Sequence, residues 1–305
     1  MKHFIVTGGA GFIGSHVTEQ LLANGDRVTA IDNFSTGKRS NLAEHSRLNI
    51  IKKNILDCLP EEINSPVDGI AHLAATPSVQ SSWLEPQEAH NNNLSTTVAV
   101  IQLCRKLQCP RLVFASSAAV YGMPQTLPIA EDHPTQPISP YGLQKLTGEG
   151  YGRLFAEKYG FTFVSLRLFN VFGDRQDSHS PYSGVISKFL EAMKQNTPIT
   201  VYGKGSQTRD FISVRDVAIA FKQALTLSLP ANQELITNIG TGRSLSLLEL
   251  IASLKPHFPH WQENIKFAPA KTGDILHSLA HIEKSNFYLE FEPQHSLEDA
   301  IFSLI

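Results

Sequence analysis

The strand–glycine–helix unit at the N-terminus constrains the fold most strongly. A β-branched, apolar run from His3 to Thr7 leads into a glycine-rich turn, and a helical pattern follows from Ser15 to Ala23. Such a unit cradles a diphosphate, because glycines let the backbone approach the ligand and the helix N-terminus attracts negative charge. We expect the cradle to consist of Gly8, Gly11, Phe12, Ile13 and Gly14. The alternating strand and helix patterns that follow predict an α/β fold with a doubly wound parallel (Rossmann) sheet.

The next predicted strand, Arg27 to Ile31, ends in Asp32. An acid about twenty residues past the cradle suits the adenosine ribose hydroxyls and would repel a 2′-phosphate, so we expect NAD rather than NADP. A solvated aspartate at a strand end is the alternative interpretation. Further cofactor contacts are expected in the polar segment after Asp32 and where later strands end: Asn33, Ser35, Thr36, Gly37, Asn54, Ile55, Leu73, Ala74, Ala75 and Asn93.

A second motif points to proton chemistry. Ser139 is a predicted N-cap and Pro140 a predicted first helical residue, so Tyr141 and Lys145 lie one turn apart on one helix face. A phenol with a pKa of about 10 is a poor base at neutral pH, but a neighbouring ammonium favours the phenolate. The pair can then take a proton from a sugar or alcohol hydroxyl, with Ser117 as a relay. Taken alone, a tyrosine and a lysine at this spacing also occur for purely structural reasons.

The composition excludes several classes of protein. The 305 residues carry a net charge of −2, which gives neither the basic field expected of a nucleic-acid-binding protein nor a polybasic face for a membrane. No apolar run is long enough to span a bilayer. Three cysteines and several histidines show no metal-ligand spacing, so we expect no bound metal. With no signal-peptide pattern, we expect a cytoplasmic protein.

The pattern changes after Phe169, where shorter elements and polar loops replace the regular alternation. We predict an NAD-binding Rossmann domain over residues 1–170, to which 212–240 return, and a mostly substrate-binding domain over 171–305. The loop from Gly203 to Asp210 carries two cations and two glycines, which suits a second, substrate-borne diphosphate. An ordinary surface turn is the alternative.

Together these motifs resemble those of the extended short-chain dehydrogenase/reductase superfamily, in particular nucleotide-sugar epimerases similar to UDP-glucose 4-epimerase. The likeness runs through the cradle, Asp32-Asn33, His72 to Ala75, Ser116-Ser117, Val120 to Gly122, Tyr141 with Lys145, Arg167 to Gly173, Gln207, Arg209 to Phe211, Asn238 to Gly242 and Gly273-Asp274.

The resemblance implies roles for individual residues. Tyr141 would be the base, Lys145 would bind the nicotinamide ribose, and Ser117 would bridge to the reacting hydroxyl. The UDP-sugar would be bound by Ser78, Ser117, Tyr141, Asn170, Val185, Arg209, Lys271, Asp274 and Ser278. Two positions depart from the family pattern: Lys271 stands where an arginine is frequent, and Asp174 replaces a proline.

Ala118 and Ala119 select among the chemistries of the superfamily. Similar enzymes that eliminate water or carbon dioxide carry carboxylates here, and methyl groups cannot supply the extra base. We therefore expect reversible C4 epimerisation of a UDP-hexose through a transient 4-keto sugar, with NAD held tightly. The alternatives are a UDP-glucuronate epimerase, a keto-sugar reductase that releases its cofactor, and a non-catalytic NAD-binding scaffold.

Two finer expectations also follow from the resemblance. Ser278 occupies the position that faces the sugar C2 substituent, where a serine leaves room for an N-acetyl group, so UDP-GlcNAc and UDP-GalNAc are expected alongside UDP-Glc and UDP-Gal. The segment from Pro181 to Ile186 also resembles the versions acting on N-acetylated sugars. The helices after Asn93 and Tyr141 carry apolar residues on more than one side, which predicts a homodimer.

Overall fold

The computed structural model describes residues 1–63, 66–177, 184–228, 234–270, 275–302 and 304. Its strands are β1 His3–Thr7, β2 Arg27–Asp32, β3 Leu48–Lys52, β4 Gly69–His72, β5 Arg111–Ser117, β6 Thr162–Leu168, β7 Asn170–Phe172, β8 Ile199–Tyr202, β9 Thr208–Arg209, β10 Phe211–Ser213, β11 Glu234–Ile239, β12 Leu245–Ser246 and β13 Ile265–Ala268. Its helices are α1 Phe12–Ala23, α2 Val79–Leu84, α3 Pro86–His90, α4 Thr96–Lys106, α5 Pro140–Tyr159, α6 Val185–Lys194, α7 Val214–Thr226, α8 Leu247–Leu254, α9 Glu283–Leu289 and α10 Leu297–Phe302.

Seven parallel strands form the central sheet in the order β11-β6-β5-β4-β1-β2-β3. The chain moves outward from β1 to β3 and then returns to the other side of β1 with β4. The strand order therefore reverses between β1 and β4, and a crevice opens there at the carboxyl ends of the strands. This topology confirms the predicted doubly wound sheet.

Apolar clusters cover both faces of the sheet. On one face α1 and α7 pack through residues such as Val17, Leu21 and Phe221. On the other face Ile101 from α4 packs with Phe163 of β6. Strands buried on both faces read as continuous apolar runs, which explains the uninterrupted hydrophobic character of β1.

Helix α5 begins and ends where its sequence predicts. The Ser139 hydroxyl accepts a hydrogen bond from the Gly142 amide at 3.1 Å, Pro140 occupies the first helical position, and Gly160 ends the helix with φ +78°. A Cβ at Gly152 would lie 2.2 Å from the Phe163 ring, so only glycine lets the helix approach β6 this closely. The helix is thereby fixed against the sheet, and with it Tyr141 and Lys145.

The smaller part of the chain packs around α6 and α8. It contains the strand pairs β8 with β13, β7 with β10 and β9 with β12. Its core is one apolar cluster that includes Met193, Leu250 and Trp261. Strand β11 extends the central sheet beside β6, and α7 packs on its face. Among the described residues, no helix is both long and apolar enough to cross a membrane.

Three predicted boundaries were wrong. Helix α1 begins at Phe12, not at Ser15, because its first turn starts directly at the glycine cradle. Strand β4, predicted to run from Gly69 to Ala75, ends at His72, since the Leu73 and Ala74 amides donate to the Thr7 hydroxyl. The helix expected from Asn93 starts as a π-helical turn, Asn91–Ser95.

Candidate active site

A cavity of about 450 Å³ occupies the crevice at the carboxyl ends of the strands. Its lining includes these sequence-predicted residues: Gly8, Gly11, Phe12, Ile13, Gly14, Asp32, Asn33, Ser35, Thr36, Asn54, Ile55, Leu73, Ala74, Ala75, Ser117, Tyr141, Lys145 and Asn170. The residues predicted for the cofactor and those predicted for proton transfer therefore share one continuous cavity.

The glycine cradle fits a dinucleotide. A Cβ at Gly14 would lie 2.0 Å from the Gly8 carbonyl oxygen, and Gly8 itself has φ +69° and abuts the Ala74 backbone. The first turn of α1 has no side-chain cap and no acidic residue, so its amides remain available to an anionic group. Backbone packing and helix dipole thus meet the requirements of a pyrophosphate at this point.

Asp32 is fixed at the opposite end of the cavity from the reactive hydroxyls. Its Oδ2 accepts a hydrogen bond from the Ala10 amide at 2.9 Å, and its Oδ1 accepts one from the Phe34 amide at 2.7 Å. Of the described residues that line the cavity, Asp32 is the one carboxylate. Its charge is complementary to ribose hydroxyls and repels a 2′-phosphate, which fits NAD.

Tyr141, Ser117 and Lys145 converge on the other end of the cavity. The Tyr141 and Ser117 hydroxyls hydrogen-bond each other, and the Tyr141 amide donates to Ser82 Oγ at 3.1 Å. Lys145 Nζ lies 5.8 Å from the centre of the Tyr141 ring and donates to the Ala115 carbonyl at 2.8 Å. Tyr141 and Lys145 are thus fixed by hydrogen bonds that involve the backbone, and Ser117 by its hydrogen bond with Tyr141.

The electrostatics of this pair differ from the prediction. Burial raises the pKa of Tyr141 to about 12, although the hydrogen bond with Ser117 lowers it in part. Burial also lowers the pKa of Lys145 to about 8, against an upward pull from Glu149. Desolvation is therefore the largest influence on both groups, which are only 8% and 5% exposed.

The turn after β5 brings no further acid or base to these hydroxyls. Ser117 caps a 3₁₀ turn, Ala118–Val120, and its Oγ accepts a hydrogen bond from the Ala119 amide at 3.2 Å. A Cβ at Gly142 would lie 2.6 Å from the Ala119 carbonyl oxygen, so α5 packs directly on this turn. Around the Tyr141 hydroxyl, the described residues offer this phenol, the Ser117 hydroxyl and the Lys145 amine for proton transfer.

Three predicted contacts support the cavity from outside its lining. Asn93 Oδ1 accepts a hydrogen bond from the Thr76 amide at 2.8 Å, and its Nδ2 donates to Gln144 Oε1 at 2.7 Å. Ser78 caps α2, and Gly37 packs on the Ala10 backbone beneath Asp32. Asn93 thus ties the cavity wall to the catalytic helix.

The predicted substrate residues are more dispersed. Val185 is the first residue of α6. The Arg209 side chain donates a hydrogen bond to the Thr208 carbonyl at 2.9 Å. Ser278 is buried, and its amide donates to the same carbonyl at 3.1 Å. Lys271 and Asp274 lie outside the described residues, as do the first three residues of the segment from Pro181 to Ile186.

Some lining residues were not predicted from the sequence: Lys53, Thr76, Pro77, Asn92, Thr96 and Gln176. Lys53 directly precedes the predicted contact Asn54, and Thr76 directly follows Ala75, so extending those segments by one position would have included them. Gln176 reaches the cavity through tertiary packing, since its Oε1 accepts a hydrogen bond from Ser187 on α6 at 2.8 Å. No local pattern indicates that contact.

The structure explains the unusual Asp174. Its Oδ2 accepts a hydrogen bond from Arg215 at the start of α7 (2.7 Å), and its carbonyl lies 3.0 Å from His16 Nε2 on α1. The adjacent Arg175 pairs with Glu19 on α1 at 2.7 Å. The turn after β7 is therefore fastened to the helix that carries the cradle.

Known proteins are similar to this chain in sequence and in fold. A UDP-glucose 4-epimerase of Mycolicibacterium smegmatis is 34% identical over 305 residues, which cover 97% of this chain and 95% of the relative. A UDP-N-acetylglucosamine 4-epimerase from Methanobrevibacter ruminantium, solved with UDP-N-acetylmuramic acid, matches with a TM-score of 0.92 and 35% identity over 99% of this chain and 98% of that one.

A UDP-glucuronic acid 4-epimerase from Bacillus cereus, solved with UDP-glucuronic acid and NAD, matches with a TM-score of 0.90 and 30% identity over 99% of this chain and 97% of that one. The model of the NAD-dependent epimerase/dehydratase family matches residues 4–240. The relatives and solved structures match almost the whole chain, and the family model matches more than half of it. The chain belongs to the NAD-dependent epimerase/dehydratase family.

Proposed function

We propose that this protein inverts the C4 configuration of a UDP-hexose. One observation carries the proposal: the hydrogen-bonded Tyr141 and Ser117 hydroxyls lie beside Lys145 in a cavity whose single described carboxylate, Asp32, is at the far end. This set can move one hydroxyl proton and return it, but it has no base for a ring C–H proton.

The residues act on the proton of the C4 hydroxyl. Ser117 orients that hydroxyl, and Tyr141 accepts its proton while in the phenolate form, which the Lys145 ammonium favours before the transfer. Bound NAD would supply the acceptor for the C4 hydride and the donor for its return to the opposite face of the ring. Tyr141 then gives the proton back, so the protein ends each cycle unchanged.

We infer that residues 1–170 and 212–240 hold the cofactor and that most of 171–305 holds the UDP-sugar. Asn170, Val185, Arg209, Lys271, Asp274 and Ser278 are the proposed substrate contacts, together with Ser78 near the wall at Thr76. Arg209 supplies positive charge suited to a diphosphate. The cytoplasmic location stays a prediction from the sequence.

The proposal is tested without added cofactor. Purified protein is incubated separately with UDP-Glc, UDP-GlcNAc and UDP-glucuronate, and C4-inverted products are followed by NMR. Inversion of a neutral hexose supports the proposal, and inversion of UDP-glucuronate alone would move the assignment to that substrate. Substoichiometric NAD with net consumption of added NADH would instead identify a keto-sugar reductase.

Ser278→Tyr is expected to separate the two neutral substrates. If this position faces the C2 substituent, the larger side chain takes the space of the N-acetyl group, and kcat/KM for UDP-GlcNAc falls by about tenfold or more. Turnover of UDP-Glc is expected to remain, and it also reports whether the variant is folded. Ser278→Ala is the control that adds no bulk, and equal losses for both sugars in Ser278→Tyr would contradict the size argument.

We also propose a homodimer formed through α5. Leu143, Tyr151 and Leu154 are 56%, 40% and 55% exposed, and their spacing puts them on one face of the helix. A contiguous apolar face of this kind is typical of an interface.

Leu154→Glu is expected to dissociate that dimer. Sedimentation velocity should give twice the chain mass for the wild type and mainly the chain mass for the variant, because a carboxylate would be buried unpaired in the interface. Leu248→Glu, on an exposed position of α8, is the control and should leave the dimer intact. A monomeric wild type would end the proposal.

A further inference from the structure

A buried carboxylate lies one turn beyond Lys145 on α5. Glu149 is 3% exposed, and its Oε1 accepts hydrogen bonds from Ser116 Oγ at 2.6 Å and Ser165 Oγ at 3.0 Å. Arg167 on β6 donates to both carboxylate oxygens, from Nε at 3.0 Å and from Nη2 at 2.8 Å. These four hydrogen bonds fix the Glu149 carboxylate between β5 and β6.

Glu149 and Lys145 face the same strand. Lys145 Nζ donates to the Ala115 carbonyl, and Glu149 accepts from the hydroxyl of the next residue, Ser116. Their four-residue spacing places both on one face of α5, and both are almost fully buried. A charge on either group is therefore felt by the other with little screening by water.

The other groups around Lys145 do not provide negative charge. His72 on β4 is neutral, because burial lowers its pKa to about 3. The Phe114 ring of β5 lies 4.9 Å from Nζ, and Tyr141 of α5 is a protonated phenol. Arg167 is a second cation, and its pKa stays above the ordinary value because the Glu149 hydrogen bonds outweigh its burial. Among the described groups, Glu149 is the anion that compensates both cations.

We propose that Glu149 is a positioning residue that keeps the buried Lys145 ammonium charged. Lys145 and Arg167 compete for the negative charge of this one carboxylate. The proposal rests on the role of Lys145 in the proposed function. Burial lowers the pKa of Lys145 to about 8 while Glu149 raises it, so the ammonium is poised close to physiological pH. Removing the carboxylate charge would leave two buried cations, and Lys145 would lose its proton first.

Opposite shifts in two variants test this directly. Glu149→Gln removes the anion, so the midpoint of Lys145 titration should fall by about one pH unit or more. Arg167→Met removes the cation that pairs with Glu149, so the carboxylate charge then acts on Lys145 alone. The midpoint of Lys145 titration should therefore rise. Each is read by NMR of ¹³Cε-labelled lysine in the NAD-loaded protein, and the Lys145 signal is identified by its loss in Lys145→Arg.

Ser165→Ala is the matched control. It removes one hydrogen bond from the same carboxylate but no charge, so the midpoint should stay in place even if the melting temperature falls. Glu149→Asp, which keeps the pairing and withdraws the charge, should give a smaller downward shift and serves if Glu149→Gln does not fold. A purely structural carboxylate would leave all midpoints at the wild-type value or move both main variants in one direction, and either result overturns the proposal.

The titration is independent of the reaction catalysed. Should no UDP-sugar be inverted, the NMR midpoints still decide whether Glu149 controls the charge of Lys145. Where turnover is present, its loss at alkaline pH should move with the Lys145 midpoint, to lower pH in Glu149→Gln and to higher pH in Arg167→Met.

Discussion

Tyr141→Phe is expected to keep its NAD and to lose turnover by about 10²- to 10⁴-fold, the range that one proton-transferring group supplies. The phenylalanine ring fills the same space, and the amide hydrogen bond of residue 141 to Ser82 remains. The glycine cradle is unchanged in this variant, so NAD should remain bound. Initial rates by NMR give the turnover, and absorbance after denaturation and filtration gives the NAD content.

Tyr121→Phe is the matched control for this substitution. Its hydroxyl is also buried and donates to Asn238 Oδ1 at 2.6 Å, but it lies outside the cavity lining. Losing that bond is expected to cost about 0.5–3 kcal/mol of stability and little turnover. Wild-type epimerisation by Tyr141→Phe would remove the tyrosine from the mechanism and end the functional assignment.

Gly14→Ala is expected to abolish NAD binding and, with it, all turnover. The added Cβ would lie 2.0 Å from the Gly8 carbonyl oxygen, and both partners are backbone, so no flexible side chain can yield. Separating α1 from the cradle moves the first-turn amides away from the pyrophosphate. The clash should also cost about 1–3 kcal/mol in the free energy of unfolding. Cofactor content and urea titration measure the two effects.

Gly150→Ala tests the same chemical change without the clash. No atom of the chain outside the backbone of α5 lies within 4 Å of a Cβ at this position. Because Gly150 lies on the α5 face proposed for the dimer, this control is read by its NAD content and not by its stability. The variant should retain NAD. If Gly14→Ala also retained a full complement of NAD, the cradle would not be the cofactor site.

Much of the fold follows from local signals in the sequence. Ser139, Pro140 and Gly160 mark the bounds of α5 by capping, and Ser246 with Glu249 forms a capping box at the start of α8. Each of these caps depends on residues only a few positions apart, so the sequence around a helix end is enough to predict where the helix begins or ends. The doubly wound sheet could be predicted for the same reason.

The parts that escaped prediction depend on distant packing. The cofactor contact of Asn93 stays a prediction, but sequence alone did not indicate that its side chain hydrogen-bonds Thr76 and Gln144 outside the cavity lining. The pKa of Tyr141 was expected to fall beside Lys145, but its direction depends on how much water burial removes, which sequence spacing does not give. Glu149 has no signature as an active-site group until Arg167 is seen beside it.

The path of the chain through the central sheet limits how the protein can be divided. Strand β11 supplies one edge of that sheet and α7 covers one face, yet both come after the first strands of the smaller part. A fragment ending near residue 170 would lack α7 and β11. The apolar residues that pack with α7, such as Leu166 and Leu21, would then be exposed to solvent, and β6 would become an unpaired edge strand. Evolution can therefore exchange loops around this cavity, but it cannot shuffle the two halves as separate genetic modules.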